Sequence, residues 1–164
     1  MGVSNMDQPR HSILAPGTRA PDFQLESDPQ KKVSLKDFRG KRIVLVFYPA
    51  DFSPVCGDQL ALLNECLDEF EEMNVQLIGI SVDGAWCHQA YANNRKLKFP
   101  LLADFQPKGA VAKAYGVYDE QWGTSQRAIF VINEDGIIEW SYLSPIDVNP
   151  GAAGIFAALD EMKK

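Results

Sequence analysis

A chain of 164 residues with 46% apolar and 23% charged side chains is long and apolar enough to build one domain around a sizeable core. Sixteen basic residues against 22 acidic ones leave a net charge of −6, which argues against nucleic acid or an anionic membrane as partner. No apolar run approaches the roughly 18 residues of a membrane span, and three irregularly spaced cysteines are no disulfide framework, so a reducing, cytoplasmic setting is expected.

The start "MGVSNMDQPRHSILAPG" (1–17) lacks a basic stretch followed by an apolar one, so it does not read as a secretory signal. Gly2 is followed by Met6 where a myristoylation motif needs Ser or Thr. A flexible arm over 1–12 is expected, ahead of a domain over 13–164. "DFQL" and "KVSL" then suggest a small N-terminal hairpin. "RIVLVFY" (42–48) is a continuous β-rich run, as in a strand buried on both faces. From 54 to 72 the period becomes helical, with Leu60, Leu63, Leu67 and Phe70 on one stripe and the acidic run 68–72 on a solvated face. "VQLIGIS" (75–81) is a second buried strand, and strand–helix–strand with short joins predicts a parallel βαβ unit.

Helices are expected over 86–96 and 107–115, with "PLLAD" a short strand between them. "RAIFVI" (127–132), "NEDG" and "IIEWSY" (137–142) read as a hairpin. Asn149 and Pro150 suit the cap and first turn of a last helix carrying Ile155, Phe156, Leu159 and Met162. A βαβ unit, a hairpin and a closing helix make a thioredoxin-like α/β fold, a mixed sheet flanked by helices.

The chemistry concentrates at "FYPADFSPVCGDQ" (47–59). Pro49 ends the strand, Ser53 suits the N-cap and Pro54 the first helical position, which puts Cys56 third in the helix. First-turn N–H groups have no intrahelical partners, and the helix dipole is positive there, so a thiolate is favoured. The carboxyl ends of parallel strands are also where α/β proteins build sites. The plain alternative is a buried packing cysteine. Gln59 stands where a C-x-x-C pair would need its second cysteine, which excludes dithiol exchange of that kind. Cys66 lies ten residues beyond Cys56, about 15 Å along a helix, whereas a disulfide needs Cα atoms within about 7 Å; it reads as packing. Cys87 follows the neighbouring parallel strand and leaves the same sheet edge, so it is either a resolving cysteine or a passive thiol at a helix start. His88 beside it does not complete any zinc-ligand spacing. Trp86, Tyr115, Tyr118 and Trp122 read as core or dimer contacts.

"P-A-D-F-S-P-V-C" resembles the peroxiredoxin pattern P-x-x-x-[T/S]-x-x-C. "FPLLADFQPKGAVAKAYGVYDEQWGTSQRAIFVINEDGII" is similar to the alkyl hydroperoxide reductase E-like branch, which includes one-cysteine members. The similarity covers about residues 13–162. It implies a thiol peroxidase reducing hydrogen peroxide, organic hydroperoxides and peroxynitrite, with Cys56 as peroxidatic cysteine. Pro49 would shield it, Ser53 would bond the peroxide, and Arg127 would sit against the sulfur and the peroxide oxygens. No bound cofactor or metal is implied. The electrons would come from an external thiol, thioredoxin or a low-molecular-weight one. The resemblance also suggests a homodimer through the edge near Pro49 and the 118–125 loop. Two positions depart from the pattern: Ser53 stands where Thr is more usual, and Gln59 where many members carry a Glu that holds the arginine. The competing functions are a sensor that passes oxidation to a partner protein and an idle interaction module.

Overall fold

The structure is a computed structural model and describes residues 12–162. Nearly all of the expected N-terminal arm, residues 1–11, lies outside the described residues.

The run Arg42–Phe47 (β3) is the centre of the molecule. Ile43, Leu45 and Phe47 face one apolar cluster, while Val44 and Val46, followed by Tyr48, face a second. A two-residue period with both faces apolar can be satisfied only by layers on each side. Parallel to β3 runs Val75–Ser81 (β4), with Phe47 opposite Ile80, and parallel to β4 runs Leu101–Ala103 (β5). Ala128–Ile132 (β8) and Ile138–Leu143 (β9) add the antiparallel hairpin on the other side of β3. Gln24–Asp28 (β1) and Lys31–Ser34 (β2) form the expected N-terminal hairpin. They also join the main sheet, where β1 pairs with β5, and the order is β2-β1-β5-β4-β3-β8-β9. The short pair Tyr118–Asp119 (β6) and Thr124–Ser125 (β7) stands apart.

Helices cover the second face. Pro54–Glu65 (α1) contributes Leu60 and Leu63, Leu67–Glu72 (α2) contributes Phe70, Ala85–Arg95 (α3) contributes Tyr91, and Ala153–Glu161 (α5) contributes Ile155 and Leu159. Ala110–Ala114 (α4), with Val111 and Ala112, packs on the first face.

Three expectations change. The single helix over 54–72 is two, broken at Cys66, whose N–H bonds back to Leu63 O at 3.0 Å. The apolar stripe continues across this one-residue break, so its period conceals the break. The expected helix over 107–115 is only α4, because Gly109 sits at φ +73, outside the helical region, and the Asp104 carboxylate caps Val111 and Ala112 N–H at 3.0 and 2.9 Å. Asn149 does not cap the last helix. Its side chain accepts from Gly151 N at 3.0 Å, and Gly151 at φ +69 forces a turn, so α5 starts only at Ala153.

Candidate active site

Topology brings four chain segments to one edge of the sheet. β3 ends there at Phe47, and α1 follows. β4 ends beside it at Ser81, and α3 follows. β8 is antiparallel and starts there, with Ala128 opposite Phe47, so Arg127 enters from the same side. β9 ends there, with Leu143 opposite Ala128, and Ile146 follows. The edge therefore gathers Cys56, Arg127, Cys87 and Ile146.

Cys56 is third in α1 and fully buried. Pro54 opens the helix, its fixed φ and missing N–H costing nothing at a first turn. Ser53 has the extended backbone of an N-cap and its carbonyl accepts the first helical bond, from Gly57 N at 2.9 Å, but its hydroxyl makes no cap bond. The sequence leaves that hydroxyl torn between capping the helix and serving a substrate; in the structure the helix does not claim it.

Arg127 is only 2% exposed. Nη1 donates to Cys56 Sγ at 3.3 Å and to Gln59 Oε1 at 2.9 Å, while Nε and Nη2 donate to Ile146 O at 3.1 and 2.8 Å. Gln59 holds the arginine where Glu is more usual. Among the described residues no carboxylate lies within ion-pair distance of this guanidinium. Gln59 Nε2 is buried without a hydrogen-bond partner. Pro49 is half-buried just beyond Tyr48, whose carbonyl accepts from Ser125 Oγ at 2.8 Å and so ties the 118–125 loop to this edge.

A second cluster adjoins the first. Asp51, inside the quoted stretch, accepts from Tyr48 OH at 2.6 Å, and its Oδ2 lies 2.7 Å from His88 Nδ1. His88 Nε2 donates to Leu102 O at 3.0 Å, so both ring nitrogens are engaged and neither is open to a metal. Asp51 N donates to Asp83 Oδ2 at 2.8 Å, and Ser81 Oγ donates to the same oxygen. Cys87, third in α3 and partly buried, completes the group: its sulfur and carboxylate oxygens of Asp51 and Asp83 all lie within 4.8 Å of one another. Burial, then the Asp51 and Asp83 charges, push the Cys87 thiol up to about 11. Burial and Asp51 likewise push the Tyr48 phenol well above its ordinary value.

Cys66 is half-buried at the α1–α2 junction, with most of the length of α1 between it and Cys56. Tyr115 is core, Tyr118 packs against that core, and Trp86 and Trp122 are more than 70% exposed. Of the residues singled out in the sequence, the structure brings Arg127 and Gln59 to Cys56 and leaves Ser53 and Pro49 in the segment just before it; Asp51, Tyr48, Asp83 and Ile146 were missed. Asp51 had a signal, being a carboxylate in an apolar turn five residues before Cys56. Ile146 contributes only its carbonyl, which no side-chain pattern reveals.

A buried cysteine in the first turn of a helix after the central strand, faced by a buried arginine on a thioredoxin-like sheet, defines a thiol-dependent redox enzyme rather than a dithiol exchanger. A family model described as the AhpC/TSA family matches residues 16–141, and the chain belongs to that family. It is 41% identical to alkyl hydroperoxide reductase E of Mycobacterium tuberculosis over 130 residues, covering 79% of this chain and 85% of that one. It is 38% identical to peroxiredoxin-1 of Gallus gallus over 143 residues, 80% of this chain and 71% of the relative. Among solved structures, Plasmodium vivax 2-Cys peroxiredoxin in its reduced form superposes with a TM-score of 0.83 at 29% identity, covering 90% and 81% of the two chains. Mycobacterium tuberculosis AhpC superposes with 0.82 at 25% identity, covering 93% and 95%. The protein is a peroxiredoxin, a thiol-dependent peroxidase.

Proposed function

We propose that Cys56 is the peroxidatic cysteine and that Arg127 is its principal electrostatic partner. The observation that carries this is the 3.3 Å bond from the buried guanidinium to the sulfur. The Cys56 thiolate attacks one peroxide oxygen, the O–O bond breaks, and the departing oxygen leaves as water or an alcohol after taking a proton. Cys56 becomes a sulfenic acid. Fully ionising an ordinary thiol at pH 7 raises the thiolate fraction only about 30-fold. Enzymes typically need 10⁶-fold or more, so the larger part of the catalysis lies in stabilising charge on the departing oxygen. Arg127, the first-turn N–H groups of α1 and the uncommitted Ser53 hydroxyl are the donors for it. Pro49 covers the site, and a dry site strengthens each of these contacts.

Cys87 resolves the sulfenic acid. Cys56–SOH and Cys87–SH give a disulfide and water, and an external thiol, thioredoxin or a low-molecular-weight one, then restores both thiols. The support is that both cysteines stand third in helices leaving adjacent parallel strands at one edge. No bound cofactor or metal takes part in this cycle. The reducing thiol supply of the cytoplasm would suit this cycle. A homodimer through the edge near Pro49 and the 118–125 loop fits the exposure of Phe52, Trp86, Phe105 and Trp122. One equivalent of hydrogen peroxide followed by non-reducing peptide mapping tests the scheme. A Cys56–Cys87 disulfide with free Cys66 is expected, and a lasting Cys56 sulfenic acid beside free Cys87 would leave resolution to the external thiol.

A further inference from the structure

We propose that Asp51 and Asp83 hold Cys87 as an inert thiol in the reduced enzyme, and that the loop movement which delivers the Cys56 sulfenic acid also withdraws Asp51 and releases Cys87 to ionise. The proposal rests on the reading of Cys87 as the resolving cysteine.

The geometry couples the two cysteines through one loop. Asp51 lies five residues before Cys56, in the segment that joins β3 to α1. Its carboxylate faces the Cys87 sulfur, and its backbone N–H holds the Asp83 carboxylate in place at 2.8 Å. One segment therefore positions both acids against the thiol. Cys56 is buried in its donor-lined pocket and must leave it to meet Cys87. The first turn of α1 unwinds for that, and the loop carrying Asp51 moves with it. Departure of Asp51 breaks its bonds to Tyr48, His88 and Asp83 together.

The charged groups against Cys87 are Asp51 from the β3–α1 loop and Asp83 from the β4–α3 loop; Tyr48 from the end of β3 and His88 from α3 stand behind them, bonded to Asp51, and Tyr91 lies on α3. His88 Nδ1 lies 2.7 Å from Asp51 Oδ2, on a carboxylate that also accepts from Tyr48 OH, while Asp83 has only hydroxyl and amide donors. Tyr91 is buried and adds no positive charge. Burial raises the thiol most, and the Asp51 and Asp83 charges add to it. Raised from an ordinary value of 9.0 to about 11, the thiol has about 100-fold less thiolate at neutral pH. The benefit is chemical. Only thiolate reacts with peroxide at a useful rate, so a masked Cys87 is spared direct oxidation and stays available for the sulfenic acid. The released thiol loses its proton to solvent, attacks the sulfenic sulfur and displaces hydroxide, which the proton converts to water.

Two pH profiles test this. In a Cys56→Ser/Cys66→Ser background Cys87 is the sole thiol, and its alkylation by iodoacetamide should climb about tenfold per pH unit from 7 to 10 without levelling. In the wild-type chain, treated with one equivalent of hydrogen peroxide and quenched for mass spectrometry, disulfide formation should level off near pH 9, as for an unmasked thiol. Asp51→Asn in the single-thiol background should raise alkylation at pH 8 by tenfold or more; Asp83→Asn serves if the first variant does not fold. A common midpoint for both profiles, or alkylation unchanged by either substitution, would overturn the masking. Persistent sulfenic acid would instead overturn the resolving role, and with it the release, even if the alkylation profile shows the mask.

Discussion

Replacing Arg127 by Met separates two jobs that the same side chain is asked to do. A guanidinium 3.3 Å from the sulfur interacts with a thiolate by about 5 kcal/mol at an effective dielectric of about 20, before desolvation is charged against it. The net value of such a charge-assisted bond is nearer 1.5–3 kcal/mol. Loss of about 2 kcal/mol should slow any reaction of the thiolate by about 30-fold. A peroxide loses in addition a donor aimed at its departing oxygen, and deletion of one such donor costs about 10²–10³ in rate. Reaction with hydrogen peroxide should therefore fall by at least about 10³, and alkylation by iodoacetamide by about 10–30-fold. Stopped-flow kinetics on the reduced enzyme measures the first, and mass-resolved alkylation at the same pH the second. Met also removes the donors to Ile146 O and Gln59 Oε1, so thermal unfolding must establish that the variant is folded at the assay temperature. Equal factors for the two electrophiles would refute the transition-state role and reduce Arg127 to a device for ionising the thiol.

Cys56→Ser should abolish peroxide consumption while the protein still folds, read by peroxide electrode and circular dichroism; retained turnover would remove the basis of the whole scheme. Ser53→Ala should lower the peroxide rate about tenfold or more while leaving stability within about 0.5 kcal/mol, since the hydroxyl caps nothing. A loss of about 1 kcal/mol with unchanged rate would make it a cap after all. Tyr48→Phe removes the 2.6 Å donor to buried Asp51 and should destabilise by about 1–3 kcal/mol in a denaturant titration.

Much of the fold was legible because β3, β4 and β8 are apolar on both faces and must lie inside a layered sheet. The helix ends were harder. Cys66 breaks a helix without interrupting its apolar stripe, and Gly151 delays α5 past a convincing Asn-Pro start, because a left-handed glycine outranks a capping side chain. At the site, Cys56 followed from caps and strand end, and the choice of Arg127 came with the family resemblance. What Arg127 touches did not follow from either. Two of its four donor contacts go to a backbone carbonyl nineteen residues away, which becomes a neighbour only because β9 returns to the same edge. Asp51 was passed over because a carboxylate in a turn is ordinarily solvated, and only the folded chain puts Tyr48 and His88 around it.

Gln59 changes the charge balance of the site. Ile146 O, Gln59 Oε1 and Cys56 Sγ surround the Arg127 guanidinium, and of these only the sulfur can carry a negative charge. A buried cation without a counter-charge is costly, and the thiolate that attacks the peroxide would supply one. A disulfide at Cys56 removes that charge, and the closed site then loses its compensation at the moment when α1 must loosen. Gln59→Glu would supply a permanent counter-charge beside Nη1. The reduced enzyme should then react more slowly with peroxide, by about tenfold or more, because the arginine's field is partly cancelled. The clearer readout is a double-mutant cycle in thermal or urea unfolding. Gln59→Glu should stabilise the Cys56→Ser protein, whose arginine has no anion, more than it stabilises the wild type, with a coupling of at least about 1 kcal/mol. Identical effects in the two backgrounds would mean that the cation is compensated elsewhere, and that the charge of Cys56 does not hold the site closed.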